Sequence, residues 1–409
     1  MALKYLYVPS GYKAGTAYGV LPNVANADLA FVRGSTATRI NADGLIETMA
    51  TNVPRLDYTD GSCPTLLTEP ERINLAKTSE DLDSWGKNPS DGTVVVRANE
   101  EVSPDGNMTA DVVSVLTQYD GVYTLGITTT EEETYSCSAY VRHVSGSSKI
   151  RLGITSNFHS STGTKYIVVD LSNGSITDNE VSSFATARVV NVGNGWYRAI
   201  IENSTVPLGG GGSSNFVIYS YEDSFTEFSV WGGQIEVGNY ASSYIPNLSN
   251  GTTTRSADTG VISGDLSSYI NSSEGVLEIR AKALFNGGTQ VRISLSDRTD
   301  DNRLSLVWSS SANLMQFGIV ANGGFVFDGG TIFLKDFTQK QTEMATFKIK
   351  WKSGDIEVKV DEAIVITETD TFSALSLNKL SLGKGYGGTS LSFEGNVQYI
   401  KVYDSATDF

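Results

Sequence analysis

The chain has little of what enzymes, metalloproteins and nucleic-acid-binding proteins depend on. Of its 409 residues two are histidine and two are cysteine. His143 and His159 sit in no recognisable motif, so acid–base or nucleophilic chemistry has few candidates. Cys63 and Cys137 lie far apart in unlike contexts. That spacing excludes a disulfide framework and a zinc pattern, and both read as buried free thiols. Cations are scarce too: 30 Lys and Arg against 46 Asp and Glu leave a formal net charge of −16. Contact with a phosphate backbone needs clustered Lys and Arg, so nucleic acid is not an expected partner. No apolar run reaches the roughly 18 residues of a helical membrane span. The first residues lack the apolar core of a secretory leader, being interrupted at Pro9 and Ser10, which argues against Sec-type export. Apolar stripes at helical spacing are scarce as well.

What is present points to strands. Gly 41, Tyr 19 and Phe 16 accompany many Val, Ile, Ser and Thr, a composition suited to pleated sheets. The length allows two to three domains at about 100–200 residues each. The expected fold class is all-β: an extended N-terminal arm followed by two β-sandwich, jelly-roll domains. Residues 1–77 are rich in Gly, Pro, Asn, Thr and Asp with short extended pieces. They read as an anchoring and assembly region that gains order on a partner. From 78 to 248 short strands recur between turn residues, among them 93–97, 134–142, 150–154, 166–170, 196–202 and 227–231. Residues 249–262 are small and polar and read as a linker. Strands resume over 263–409. In Phe347-Lys348-Ile349-Lys350-Trp351 and Ile356-Glu357-Val358-Lys359-Val360 the alternation predicts one buried and one solvated face.

Three stretches carry a family resemblance. Residues 28–86 run through Thr38-Arg39-Ile40, Gly44-Leu45-Ile46-Glu47, Asn52-Val53-Pro54-Arg55-Leu56-Asp57-Tyr58 and Leu66-Leu67-Thr68-Glu69-Pro70 to Asn74-Leu75. This order resembles a segment of bacteriophage and prophage virion proteins. Gly193-Asn194-Gly195-Trp196-Tyr197-Arg198 and the stretch from Trp231 through Gln234, Glu236 and Tyr240 to Pro246 resemble the carbohydrate-binding-module-like jelly roll that follows there. The portion from about 263, ending in Gly395-Asn396-Val397-Gln398-Tyr399-Ile400, looks like a laminin-G or concanavalin-A-like sandwich. The resemblance implies a non-enzymatic structural component of a phage particle, a tail fibre, head fibre or other appendage. It would be a homotrimer by preference, assembled in the host cytoplasm. It would dock to other virion proteins through its N-terminal region and display its sandwiches for host-surface glycan attachment. A secreted bacterial lectin or adhesin is the alternative, and a glycan depolymerase a third reading.

Residues that could carry chemistry were weighed against that frame. Asp297, Asp300 and Asp301 share a polar loop, and laminin-G-like folds place calcium in loops of this kind, which makes these three the metal candidates; no other cofactor is expected. Asp355, Glu357 and Asp361 alternate on a strand but depart from a glycosidase arrangement, with Lys359 on the same face. Gly383 to Gly388 imitates a phosphate loop without the helix such a loop requires. Sugar sites use aromatic faces, which raises Trp85, Trp196, Trp231, Trp308 and Trp351, although Trp196, Trp231 and Trp351 read as core. Phe158, Tyr119, Tyr123 and Tyr386 are alternative platforms. The sequence selects no glycan-binding residue among them.

Overall fold

The computed structural model describes residues 1–13, 16–331, 334–383, 392–407 and 409. These residues are almost all β, with helix confined to short turns such as Leu82–Ser84 and Ser156–Phe158. They divide into two compact units: Met1–Ala42, Met49–Glu71 and Ser256–Phe409 form one, and Asp43–Thr48 with Arg72–Arg255 the other.

In the unit that holds both termini, strand Glu274–Ala283 pairs with Ala345–Lys352 on one side and Gly395–Tyr403 on the other. The register sets Leu277 against Ile349 and Val402, and Ile279 against Phe347 and Ile400, all buried. A second layer runs Val291–Ser296, Arg303–Trp308, Leu314–Ala321. Its Trp308 ring meets Phe347 of the first layer edge-on at 5.5 Å between centroids. Two layers of one continuous, hydrogen-bonded sheet thus close over an apolar core, the layering of a β-sandwich. The expected alternation is realised: Phe347, Ile349, Val358 and Val360 are buried. On the reverse face Lys348 pairs with Glu362 at 2.5 Å and Lys350 with Asp355 at 2.6 Å.

The N-terminal segment is extended, and most of its strands belong to this same unit, whereas Asp43–Thr48 and the strand Arg72–Asn74 belong to the other. Leu3–Lys13 pairs antiparallel with Gly395–Tyr403, Thr65–Thr68 extends along that strand, and Leu29–Val32 pairs with Thr259–Ser263. Tyr5, Tyr7, Leu29 and Leu66 are buried in the process. A segment too poor in apolar residues to order itself is therefore ordered by its own C-terminal strands. The division falls after residue 71 rather than 77. The expected linker contributes strands to both units, Thr253–Arg255 against Arg72–Asn74 and Thr259–Ser263 against Leu29–Val32.

A buried ion network fastens the segment. Arg33 Nη1 donates to Asp258 Oδ1 at 3.1 Å, Arg55 Nη2 donates to Asp258 Oδ2, and Arg55 Nη1 donates to Glu69 Oε2 at 2.5 Å. The backbone N–H of Glu69 also donates to Asp258 Oδ2, at 2.9 Å. Burial alone would discharge Arg55, but Asp258 and Glu69 outweigh it and hold the guanidinium well above its ordinary pKa.

The other unit is a sandwich of two six-stranded antiparallel sheets. One runs Val95–Val102, Met108–Val115, Thr226–Val237, Thr134–Gly146, Trp196–Thr205, Thr186–Gly193. The other runs Ser175–Asn179, Lys165–Asp170, Lys149–Ile154, Phe216–Ser220, Gly121–Tyr123, Gly86–Asn88. Val113, Ala139, Val141, Ala199 and Val230 from the first meet Val122, Leu152, Ile167, Phe216 and Ile218 from the second in a single core. The stretch after Trp231 stitches this unit shut. Glu236 accepts from Gln234, from Ser242 N and from Ser242 Oγ. Ile245 N donates to Gln234 Oε1 at 2.7 Å.

Candidate functional site

In the second sheet of this unit, alternation sends Val122, Ile150, Leu152, Ile167 and Ile218 inward and their neighbours outward. The cross-strand register arranges the outward set in two rows. One reads Asn88, Gly121, Tyr219, Arg151, Val168, and the other Gly86, Tyr123, Val217, Gly153, Tyr166. Three tyrosines of these rows stand directly opposite a glycine: Tyr123 opposite Gly86, Tyr166 opposite Gly153, Tyr219 opposite Gly121. A Cβ at Gly86 would lie 2.3 Å from Tyr123 Cζ, one at Gly153 2.5 Å from Tyr166 Cδ1, and one at Gly121 2.9 Å from Tyr219 Cδ1. The Tyr123 and Tyr166 rings therefore lie across the neighbouring strand in the space their glycines leave, while at Gly121 the Ile218 carbonyl, 2.2 Å from such a Cβ, is nearer than the Tyr219 ring. Val168 and Val217 are buried although they face outward, as residues beneath a layer of rings are.

Arg151 joins the rings. Its guanidinium carbon lies 4.1 Å from the centroid of Tyr119 and 4.5 Å from that of Tyr221. Nη1 donates to the carbonyls of Ser220 and Tyr221 at 3.0 and 3.1 Å. Ring centroids continue from Tyr119 to Tyr166 at 5.9 Å and from Tyr166 to Tyr219 at 6.5 Å. Tyr119 is 41% exposed, and Tyr123, Tyr166, Tyr219 and Tyr221 are half-buried. Burial raises the pKa of the Tyr166 and Tyr219 hydroxyls above the ordinary value, so they stay protonated as donors. The face thus offers apolar ring surface, hydroxyl donors and one stacked cation. That is chemistry able to hold a ring.

The residues singled out from the sequence fare differently. All five tryptophans are buried, the most exposed being Trp85 at 4%, so none offers a free platform. Phe158 is buried too, edge-on to Tyr135. Tyr119 and Tyr123 belong to the face just described, and Tyr386 lies outside the described residues with most of the 383–388 loop. Asp297 is engaged in its own turn: Oδ1 accepts from Thr299 N and Oγ1, and Oδ2 from Asn302 Nδ2. Burial pushes its carboxyl up, and those hydrogen bonds bring the net pKa below the ordinary value. Asp300 pairs with Arg303 at 3.3 Å, and Asp301 is exposed. Among the described residues no group of three or more His, Cys, Asp and Glu side chains is placed to hold a metal ion.

Asp355 and Glu357 are ion-paired to Lys350, and Glu357 also to Lys359. His159 is buried, stacked on Phe184, accepting from Ser161 N at Nδ1 while Nε2 faces the Ile154 carbonyl. His143 Nε2 contacts the Gly146 carbonyl at 3.2 Å. Cys137 is buried as expected, but Cys63 is exposed, because it falls in the turn that precedes strand Thr65–Thr68. Tyr166, Tyr219 and Arg151 were missed by sequence reasoning. The usable signal was the alternation Ile150-Arg151-Leu152-Gly153-Ile154, which puts a cation and a glycine on one outward face.

The same unit has a cavity of about 210 Å³ lined by Thr78, Glu80, Asp81, Asn99, Asp111 and Leu248 among others. Its inner carboxylates are engaged. Glu80 accepts from Tyr244 Oη at 2.9 Å, and Asp111 from Leu82 N and Asn99 N at 2.7 and 2.9 Å.

No protein-family model and no curated protein matches the chain. Among solved structures it is similar to the CBM40 module of the Ruminococcus gnavus IT-sialidase bound to alpha2,3 sialyllactose. That match has 17% identity over 34% of this chain and 80% of that one, with a TM-score of 0.28. It is also similar to the CBM66 carbohydrate-binding module of Bacillus subtilis, at 12% identity over 32% and 76%, TM-score 0.24. A third is domains LG4-5 of the mouse laminin alpha1 chain, at 8% identity over 72% and 89%, TM-score 0.25. These are distant likenesses, and the β-sandwich assignment rests on the pairings and cores described above.

Proposed function

We propose that this chain is a non-catalytic component of a bacteriophage particle that attaches to host-surface glycans through the tyrosine face of its second unit. The observation that carries the glycan reading is the set of three rings standing opposite three glycines beside the Arg151 stack. Such a surface matches the apolar side of a pyranose while the hydroxyls meet its polar edge. The non-catalytic reading is supported by the carboxylates of Asp355 and Glu357 being paired with lysines and by His159 being locked in backbone contacts. The virion reading is supported by the resemblance over residues 28–86. Arg33, Arg55 and Glu69 of that stretch converge on Asp258 to close a sandwich. The assembly is a homotrimer, completed in the host cytoplasm, that docks to other virion proteins through the unit incorporating the N-terminal segment. It needs no cofactor and contacts neither nucleic acid nor membrane.

Titration of the full chain with host-surface polysaccharide, followed by sizing of the polymer, tests the attachment reading. Saturable binding with an unchanged polymer is expected. No binding contradicts attachment, and a shortened polymer contradicts the non-catalytic assignment. Antibody labelling of intact particles tests the virion half. A secreted lectin would share the face and leave the particles unlabelled.

A further inference from the structure

We propose that Gly86 and Gly153 are positioning residues that seat the Tyr123 and Tyr166 rings across the neighbouring strand, and that the floor these rings make with Tyr219 takes a neutral pyranoside by stacking. The inference rests on the glycan reading above and adds the ligand class and the residues that shape its site.

Strand glycine ordinarily weakens a sheet, having no side chain to pack and more freedom to lose. Two of the three on this outward face, Gly86 and Gly153, are accounted for by close approach of the opposite tyrosine, whose ring holds the atom nearest the place of the absent methyl group; at Gly121 the Ile218 carbonyl lies nearer that place than the Tyr219 ring. A ring so seated is held against the neighbouring strand while staying half-buried, with Tyr166 tilted 55° to Tyr119 and 44° to Tyr219. It is thereby pre-organised, which lowers the ordering cost of binding. The preference for a neutral ligand comes from charge. Arg151, the cation nearest the rings, is 7% exposed, stacked between Tyr119 and Tyr221 and engaged with two carbonyls. Asp170, Glu180, Glu222 and Asp223 lie on the strands and turns that flank it, outnumbering Lys149, whose Nζ is 5.8 Å from the Tyr221 ring centroid. A chain of net charge −16 repels a polyanion at long range.

Gly86 is the position where the idea can be isolated. The three atoms nearest a Cβ there all belong to the Tyr123 ring, so Gly86→Ala displaces the ring without meeting backbone. At Gly153 the added atom would also meet the Lys165 carbonyl at 2.8 Å, and at Gly121 the Ile218 carbonyl at 2.2 Å. The experiment measures affinity of the full chain for cellohexaose and laminarihexaose, with polygalacturonate as the carboxylated comparison. It uses wild type, Gly86→Ala, Tyr123→Ala and the double variant, each with its melting temperature.

The expected result is binding of a neutral oligosaccharide that weakens about tenfold in each single variant, the order of one lost stacking partner. The double variant should be no weaker than Tyr123→Ala, because both changes remove one ring. Wild-type affinity in Gly86→Ala, or losses that add in the double variant, overturns the positioning role. If Gly86→Ala melts early, Tyr166→Ala carries the test, since it removes a ring and adds no atom. Undiminished binding there overturns the floor. Preference for polygalacturonate overturns the neutral class while leaving the glycan reading in place, and a wild type that binds no glycan of any kind removes both.

Discussion

His159 is held neutral by its surroundings. Its pKa is lowered by burial, which outweighs the opposing hydrogen bond to the Ile154 carbonyl; Lys165 lowers it a little further and Ser161 opposes. A histidine whose folded pKa lies below its unfolded value favours the folded state above the unfolded value, about 6.5. That contribution is lost as pH falls toward the folded pKa. The melting temperature of the 72–255 unit should therefore decline as pH is lowered from 7.5 through 6 to 5, with a smaller decline in His159→Gln. Equal declines in the two proteins would show that other groups set the slope. The tyrosines behave differently from the tryptophans for a reason of geometry. Trp351 shares the inward face of Phe347 and Ile349, whereas Trp196 and Trp231 are buried on the reverse face of the sheet whose Tyr197 and Val230 enter the core, Trp231 against Tyr140 and Tyr244 and Trp196 beneath Arg142. Tyr166 and Tyr219 stand opposite glycines on neighbouring strands. For the Tyr219–Gly121 pair the partners are almost a hundred residues apart, so no local pattern reveals it.

At the scale of elements, alternation made the C-terminal strands legible, and Phe347 to Trp351 and Ile356 to Val360 present the faces their spacing requires. The fate of residues 1–71 was not legible. Leu3–Lys13 pairs locally with Thr16–Leu21 and on its other side with Gly395–Tyr403 at the far end of the chain, and the alternation that buries Tyr5 and Tyr7 gives no sign of that distant partner. The charged residues of the 28–86 stretch were recognised as a pattern, and Arg55, Glu69 and Asp258 explain part of it as an internal clasp. Removing one partner from a buried ion network strands the other charges, a cost of about 3–5 kcal/mol. Asp258→Ala should lower the stability of the terminal unit by that order while the 72–255 unit melts as before. Denaturant unfolding followed by hydrogen exchange separates the two, and an unaltered terminal unit would show that the network is dispensable.

For the whole molecule, one unit includes residues from both ends of the sequence and the other carries the tyrosine face. The preference for a trimer concerns the assembled form, and light scattering of the purified chain is expected to return three times the monomer mass of 43.9 kDa. A persistent monomer would count against the appendage reading. Attachment through the tyrosine face is tested most directly by hydroxyl-radical footprinting of the full chain with and without saturating oligosaccharide. The account predicts protection at Tyr123, Tyr166 and Tyr219 and unchanged reactivity in the terminal unit. Protection elsewhere, with those three rings as reactive as before, would contradict it.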